Sequence, residues 1–122
     1  MTFITRAAAL AAAGLLGVSV VQAQQPVRIG STLSLTGPLG PTSAIHKVAG
    51  DVWIDEINRK GGLLGRKVEW LLKDDQSRPD LARTLYEQLV TVDKVDLLSG
   101  PYGTASILSA MVFAVPTNAS PP

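Results

Sequence analysis

The stretch INRKGGLLGRKVEWLLKDDQ, residues 57–76, shows most directly how this chain folds. Its first residue, Ile57, is the last in a series of apolar residues at helical spacing. The glycine pair Gly61-Gly62 that follows is a typical helix terminator. Two basic residues precede the pair, where cations suit the negative end of the helix dipole. The run Lys67–Lys73 is short, apolar and bounded by turn residues, which predicts a strand. The stretch therefore predicts a helix, a tight turn and a strand.

The same alternation extends in both directions from this stretch. The further predicted elements are a strand at Val27–Leu33, a helix from near Ser43 to the glycine pair, a helix opening at Ser77, a strand at Val95–Ser99 and a helix from Thr104 to about Phe113. Helices between strands predict βαβ units and a parallel sheet. The fold class is therefore α/β, with a partial doubly wound parallel sheet in the order βαβαβα.

Apolar residues recur at helical spacing in the first two helices. In the first helix these residues are Ile45, Val48, Ala49, Val52 and Ile57. The predicted buried face of the second helix comprises Leu81, Ala82, Leu85, Tyr86 and Leu89. Ser77 is the predicted N-cap of the second helix, with Asp80 three residues further on as an acidic variant of the capping box.

Residues 1–23 have the pattern of a secretory signal. Arg6 is followed by an apolar stretch of Ala, Leu, Gly and Val, and Val21-Gln22-Ala23 resembles a signal-peptidase site. We expect cleavage after Ala23 and a periplasmic product. The alternative is a membrane anchor, which the short, Ala/Gly-rich stretch without a positive far flank disfavours.

Composition excludes several classes of function. The chain has 122 residues, which allows one modest domain. Without Arg6, ten of its eleven basic residues remain to balance ten acidic ones, and no basic run points to nucleic acid. With no cysteine and one histidine, the sequence contains no thiolate or His-based metal site and no His-dependent triad. We predict no metal, no cofactor and no enzyme activity.

Two further features have simple interpretations. His46 is interpreted as a surface or groove histidine, because no acid or hydroxyl accompanies it in a motif. Asp74-Asp75 follows the second strand and is interpreted as loop solvation and helix capping. A flavodoxin- or receiver-like enzyme domain is the alternative, and it requires further strands carrying a lysine and a threonine.

Four pieces in this order resemble the leucine/isoleucine/valine-type periplasmic binding proteins of ABC transporters. They are IGSTLSLTGP (residues 29–38), IDEINRKGGLLGR (54–66), DDQSRP (74–79) and SGPYGT (99–104). The resemblance implies that residues 24–111 are half of the N-terminal lobe of a type I periplasmic binding protein. Residues 112–122 depart from the family as an irregular, Pro-rich tail, for which we expect a truncated gene.

The resemblance also implies a function. The family captures an amino acid or another small polar acid or amide between two lobes and delivers it to a membrane permease. In the family, the loop after the third strand binds the ligand carboxylate, and this loop maps to Ser99–Thr104. The expected ligand-binding residues are Tyr102, Gly103 and Thr104, with Thr42 and Ser43 of the first loop bordering the same cleft.

Elementary chemistry agrees with this mapping, because a glycine turn before a helix presents N–H donors to an anion. Thr104 is also a good N-cap on its own, so that interpretation stays open. The first loop has no aromatic ring near Thr42, which leaves branched-chain specificity open. A ligand-sensing domain of the same fold with a regulatory role is the alternative function.

Overall fold

The structure, a computed structural model, describes residues 24–114. Its elements are β1 (Val27–Leu33), α1 (Gly40–Arg59), β2 (Val68–Asp74), α2 (Pro79–Thr91), β3 (Leu97–Leu98) and α3 (Thr104–Ala114). This order confirms the predicted α/β class and βαβαβα alternation. The predicted signal segment lies outside the described residues. Residues 112–114, predicted to begin the irregular tail, are helical because no proline interrupts α3 before Pro116.

The three strands form one parallel sheet in the order β2-β1-β3. β1 is central and pairs with β2 along its whole length, from Val27 opposite Val68 to Leu33 opposite Asp74. β3 is shorter than the predicted strand, because the Val95 N–H still bonds to the Leu89 carbonyl of α2 at 3.1 Å. Because all three strands run parallel, their carboxyl ends lie at the same edge of the sheet.

One face of the sheet is packed against α2. Gly30 of β1 lies so close to Leu89 and Val95 that an added Cβ would stand 2.9–3.1 Å from their methyl groups. The predicted face of α2 is confirmed, since Ala82, Tyr86 and Leu89 are buried and Leu81 and Leu85 are half-buried. α3 packs beside α2.

The helical spacing predicted for α1 is confirmed, but most of the apolar residues at that predicted spacing are not buried, and only Ile57 among them is half-buried. Ile45, Val48 and Val52 are 69%, 61% and 63% exposed, and Ala49 is exposed as well. Instead, Gly50 turns toward the sheet, where a Cβ would overlap the Trp70 ring of β2. A helix that approaches a large ring this closely places its smallest residue, not its β-branched ones, at the contact. α1 also begins three residues early, because Pro41 suits a first turn.

The turn after α1 explains the glycine pair and the asparagine before it. Gly62 has φ +80°, and a Cβ there would collide with the Arg66 carbonyl. The Asn58 side chain donates to the Val68 carbonyl at 2.8 Å and accepts from the Val68 N–H at 2.7 Å. Asn58 thereby joins the end of α1 to the start of β2 through a single amide.

Candidate functional site

The sheet topology places a crevice between the ends of β1 and β3. From β1 the chain continues to β2 on one side, and it then crosses to β3 on the other side. In doubly wound sheets, ligands bind at such a reversal, outside the carboxyl ends of the strands. The loops at these ends here are 34–39, 75–78 and 99–103.

A cavity of about 570 Å³ occupies this crevice. Three predicted site residues, Tyr102, Gly103 and Thr104, line it together. The other lining residues are Ser31, Leu33, His46, Gly50, Trp70, Ser99, Gly100, Pro101 and Ile107. Since this set contains no Lys, Arg, Asp or Glu, the site offers hydroxyls, N–H groups and apolar surface.

The first turn of α3 is the part of the cavity suited to an anion. Thr104 is the first residue of α3 and is exposed, and Gly103 before it has φ +92°, a conformation that favours glycine. The first intrahelical bond runs from the Ile107 N–H to the Gly103 carbonyl at 2.9 Å. The N–H groups before Ile107 have no carbonyl of their own helix to bond, and the helix dipole adds positive potential there.

The start of the β3–α3 loop is anchored firmly to the sheet. The Ser99 N–H donates to the Gly30 carbonyl at 2.9 Å, and the Tyr86 hydroxyl donates to the Ser99 carbonyl. Ser31 Oγ donates to the Gly100 carbonyl at 3.4 Å. Burial of the ring raises the pKa of the Tyr86 phenol above its usual value, which keeps this donor protonated.

The other two predicted site residues lie apart from the cavity lining. Thr42 is exposed, and its Oγ1 donates to the Leu39 carbonyl at 3.0 Å. Ser43 is fully buried, and its Oγ has no hydrogen-bond partner within residues 24–114. Their contact with a ligand stays a prediction, and solvent does not reach the Ser43 side chain.

Asp75 corrects the interpretation of the aspartate pair as loop solvation. Its side chain has 0% exposure. Its carboxylate accepts from Thr32 Oγ1 at 2.8 Å, from Ser34 Oγ at 2.8 Å and from the Ser77 N–H at 3.0 Å. A buried carboxylate is tolerated when hydrogen bonds replace its water. Asp75 therefore joins the ends of β1 and β2 inside the protein.

Asp74 organises the first loop in a similar way, nearer the surface. It accepts from the N–H groups of Leu35, Thr36 and Gln76 at 2.9, 3.2 and 2.8 Å, and from Thr36 Oγ1 at 2.7 Å. Desolvation raises the pKa of Asp74, but the Thr36 hydroxyl and the three backbone donors outweigh it, so the pKa lies below its ordinary value.

The prediction of Ser77 as an N-cap is wrong. α2 starts at Pro79 with Arg78 at the N-cap position and no side-chain cap. Ser77 Oγ instead donates to the Thr36 carbonyl at 2.9 Å and accepts from the Leu39 N–H at 3.0 Å. The serine thus bridges two loops, because its backbone turns left-handed at φ +62° and directs the side chain across the strand ends.

His46, interpreted from the sequence as a surface or groove histidine, lies in the groove. Its ring stands against Tyr102 with centroids 4.7 Å apart and planes tilted by 50°. The sequence did not single out this pair, because 55 residues separate the two positions and neither belongs to a spacing pattern. Within the described part of the chain, no cluster of three or more potential metal ligands occurs.

A family profile described as "Periplasmic binding protein" matches residues 26–118 of the chain. The chain belongs to the periplasmic binding protein family. The match includes the three strands, the loops at their carboxyl ends and the cavity between them. It confirms the resemblance drawn from the four sequence pieces. The family also implies an extracytoplasmic protein, and no helix within residues 24–114 is long and apolar enough to cross a membrane.

Several relatives of this periplasmic binding protein are named substrate-binding proteins. It is 38% identical over 81 residues to the chemotactic signal transduction system substrate-binding protein BasB of Halobacterium salinarum, covering 65% of this chain and 20% of BasB. It matches the structure of the branched-chain amino acid transporter substrate-binding protein LivJ of Streptococcus pneumoniae, in complex with isoleucine, with a TM-score of 0.71 and 28% identity, covering 74% of this chain and 26% of LivJ.

A second solved structure broadens the range of ligands among the relatives. An ABC-transporter solute-binding protein of Rhodopseudomonas palustris, in complex with 3,4-dihydroxybenzoic acid, matches with a TM-score of 0.66 and 28% identity, covering 75% of this chain and 24% of that protein. The chain thus spans about a fifth to a quarter of the length of these relatives. The shared fold confirms the type I periplasmic binding protein architecture.

Proposed function

We propose that this protein captures amino acids or related small carboxylates for an ABC transporter, without catalysing a reaction. The observation that carries the proposal is the position of Thr104 at the start of α3, inside the cavity of about 570 Å³. A hydroxyl and the N–H groups of a helix start bind a carboxylate through hydrogen bonds and the helix dipole. A counter-charged side chain is not needed for this binding.

The ligands of the two structural relatives support the carboxylate as the common element. Isoleucine and 3,4-dihydroxybenzoic acid share a carboxyl group and differ in almost everything else. The lining of this cavity likewise has a polar part and an apolar part. Thr104 and Gly103 form the polar end, and the apolar side is formed by Leu33, Trp70 and Ile107. We infer that the anion is held at α3 and that the apolar side receives the rest of the solute.

Export and a membrane permease complete the proposal. Residues 1–23 have the pattern of a cleaved secretory signal, and the family is extracytoplasmic. Fusing residues 1–30 to alkaline phosphatase, which is active only in the periplasm, tests the export step. An inactive, stably expressed fusion contradicts it.

A second candidate is a sensory role, in which the bound solute is presented to a chemotaxis receptor. The observation that favours it is the 38% identity to BasB, which is named as part of a chemotactic system. Both roles use the same ligand site. Deleting the gene separates them, because a transport role predicts loss of labelled-solute uptake, while a sensory role predicts loss of attraction toward the solute with uptake unchanged.

The ligand site itself is tested by replacing Thr104 with valine, which keeps the shape and removes the hydroxyl. The 122-residue chain, expressed with its own N-terminus and isotope-labelled, is titrated with isoleucine while amide shifts are followed by NMR. Because residues 24–114 line the cavity from one side, we expect weak, millimolar binding. A lost hydrogen bond to a charged group predicts roughly tenfold weaker binding for Thr104→Val.

The matched control is Thr84→Val on the exposed side of α2, where Thr84 Oγ1 donates to the Asp80 carbonyl at 3.2 Å. Isoleucinol, which lacks the carboxylate, serves as the control ligand. Equal affinities of Thr104→Val and Thr84→Val, or equal binding of isoleucine and isoleucinol, would refute anion binding at α3.

A further inference from the structure

One contact connects α1 directly to the ligand-facing part of the β3–α3 loop. His46 lies on the second turn of α1, and Tyr102 lies two residues before α3. Their ring centroids are 4.7 Å apart with a 50° tilt, within the range that attracts one aromatic ring to the edge of another. His46 is exposed and Tyr102 is half-buried, so the pair presents ring surface to an incoming solute.

A third ring lines the same cavity. Trp70 of β2 reaches it because Gly50 of α1 leaves space for the indole, which any side chain at that position would occupy. By contrast, the first turn of α1 carries no aromatic ring, since the residues there are Gly40, Pro41, Thr42 and Ser43. The aromatic rings of the cavity lining therefore come from His46, Trp70 and Tyr102.

His46 also differs in chemistry from the rest of the cavity lining. Among the residues that line the cavity there is no Lys, Arg, Asp or Glu, so His46 is the one imidazole among hydroxyl, apolar and other aromatic side chains. Imidazole combines a flat surface with ring nitrogens that form hydrogen bonds, and its ring packs against other aromatic rings.

We propose that His46 is a specificity-determining residue of this site, and that its ring and the Tyr102 ring select solutes that carry a flat ring beside their carboxylate over branched aliphatic amino acids. This inference rests on the proposed function, in which Thr104 holds the carboxylate. A solute anchored there directs its body along the lining, where His46 and Tyr102 form an edge-to-face surface for a planar group. A branched aliphatic side chain contacts these rings without the directional part of that attraction.

The test compares phenylalanine with isoleucine, which share the carboxylate and amino group and differ in the side chain. The 122-residue chain is titrated with each ligand by NMR, using the Thr104 amide as the reporter of carboxylate binding. We expect phenylalanine to bind more tightly than isoleucine. His46→Ala should weaken phenylalanine binding by roughly three- to tenfold, the value of one aromatic pair, and leave isoleucine binding within about twofold.

Two variants control for folding and for the nature of the contact. Val48→Ala changes an exposed residue of the same helix that is not part of the lining, so it should leave both affinities unchanged. His46→Phe keeps a ring against Tyr102 and should keep the preference for phenylalanine. If His46→Ala unfolds the chain, the comparison of His46→Phe with His46→Leu decides in its place.

The outcomes separate this inference from the proposed function. A Thr104 amide that responds to both ligands, with a preference that His46→Ala does not change, overturns the role of His46 and leaves the proposed function standing. If His46→Phe loses the preference for phenylalanine as fully as His46→Ala does, packing of the ring at position 46 does not explain that preference. A Thr104 amide that responds to neither ligand overturns the proposed function and this inference with it.

Discussion

The buried carboxylate of Asp75 provides a demanding test of how the strand ends are held together. In Asp75→Asn the shape is kept, but the charge is removed and one acceptor becomes a donor. Asp75 Oδ1 accepts from Ser34 Oγ and from the Ser77 N–H, whereas Oδ2 accepts from Thr32 Oγ1. An asparagine whose oxygen takes the place of Oδ1 keeps two bonds without charge assistance and turns an NH₂ group toward Thr32.

The magnitude follows from these three bonds. A hydrogen bond to a charged group contributes about 1.5–3 kcal/mol and a neutral one about 0.5–1.5 kcal/mol, so the two retained bonds lose roughly 1 kcal/mol each. The buried Thr32 hydroxyl, which loses its acceptor, adds about 1 kcal/mol. We therefore expect Asp75→Asn to lower the free energy of unfolding by about 3 kcal/mol, a large share of the roughly 5–15 kcal/mol typical of a domain.

Urea unfolding followed by tryptophan fluorescence measures this change, since Trp53 and Trp70 lie on α1 and β2. Asp51→Asn is the matched control, because Asp51 forms an exposed pair with Lys47 at 2.6 Å whose loss should lower the free energy of unfolding by less than about 0.5 kcal/mol. If both variants unfold at the same urea concentration with the same slope, the carboxylate does not hold the strand ends together and the reasoning fails.

Two further predictions concern α1 and the first loop. Gly50→Ala should lower the free energy of unfolding by about 1–3 kcal/mol and shift the Trp70 emission, because the added Cβ overlaps the indole. The control is Gly100→Ala, where an added Cβ meets no atom within 4 Å. If the two variants lower the free energy of unfolding equally, Gly50 does not approach Trp70 closely. For Asp74, whose pKa is lowered from 3.8, the stabilisation is complete above that value and is lost as pH falls through the lower pKa of the folded state. Asp74→Asn should accordingly be less stable than the unmodified chain at about pH 6, and thermal unfolding should show this difference shrink as the pH is lowered below the ordinary carboxyl range. A pH-independent difference would argue against the lowered pKa.

The sheet and α2 could be predicted from the sequence because local pattern and burial agree there. In α2, apolar spacing corresponds to residues that the sheet does bury. In α1, the apolar spacing of Ile45, Val48 and Val52 does not indicate the packed face. That face is set by a contact between Gly50 and Trp70, which are 20 residues apart, and only the three-dimensional arrangement reveals their fit.

The candidate site shows the same limit. The position of Tyr102, Gly103 and Thr104 beside one cavity could be predicted, because a strand end followed by a helix start has a local signature; their contact with a carboxylate stays a prediction. The contact of His46 with Tyr102 could not be predicted, since it depends on a ring that another loop brings to α1. Asp75 and Ser77 were assigned to solvent and to a helix cap because sequence spacing does not distinguish a local hydrogen bond from one across neighbouring strands.

The bridge that Ser77 makes between the loops after β1 and β2 affects how the range of bound solutes can change without loss of stability. Asp74 and Ser77 fasten residues 35–39 to residues 74–77, so these two loops behave as one rigid block. Tyr102, in the loop before α3, makes none of these hydrogen bonds. Under the proposed function, variation at Tyr102 therefore changes solute recognition while the hydrogen bonds of the block are kept, which makes selectivity and foldability separate targets for engineering.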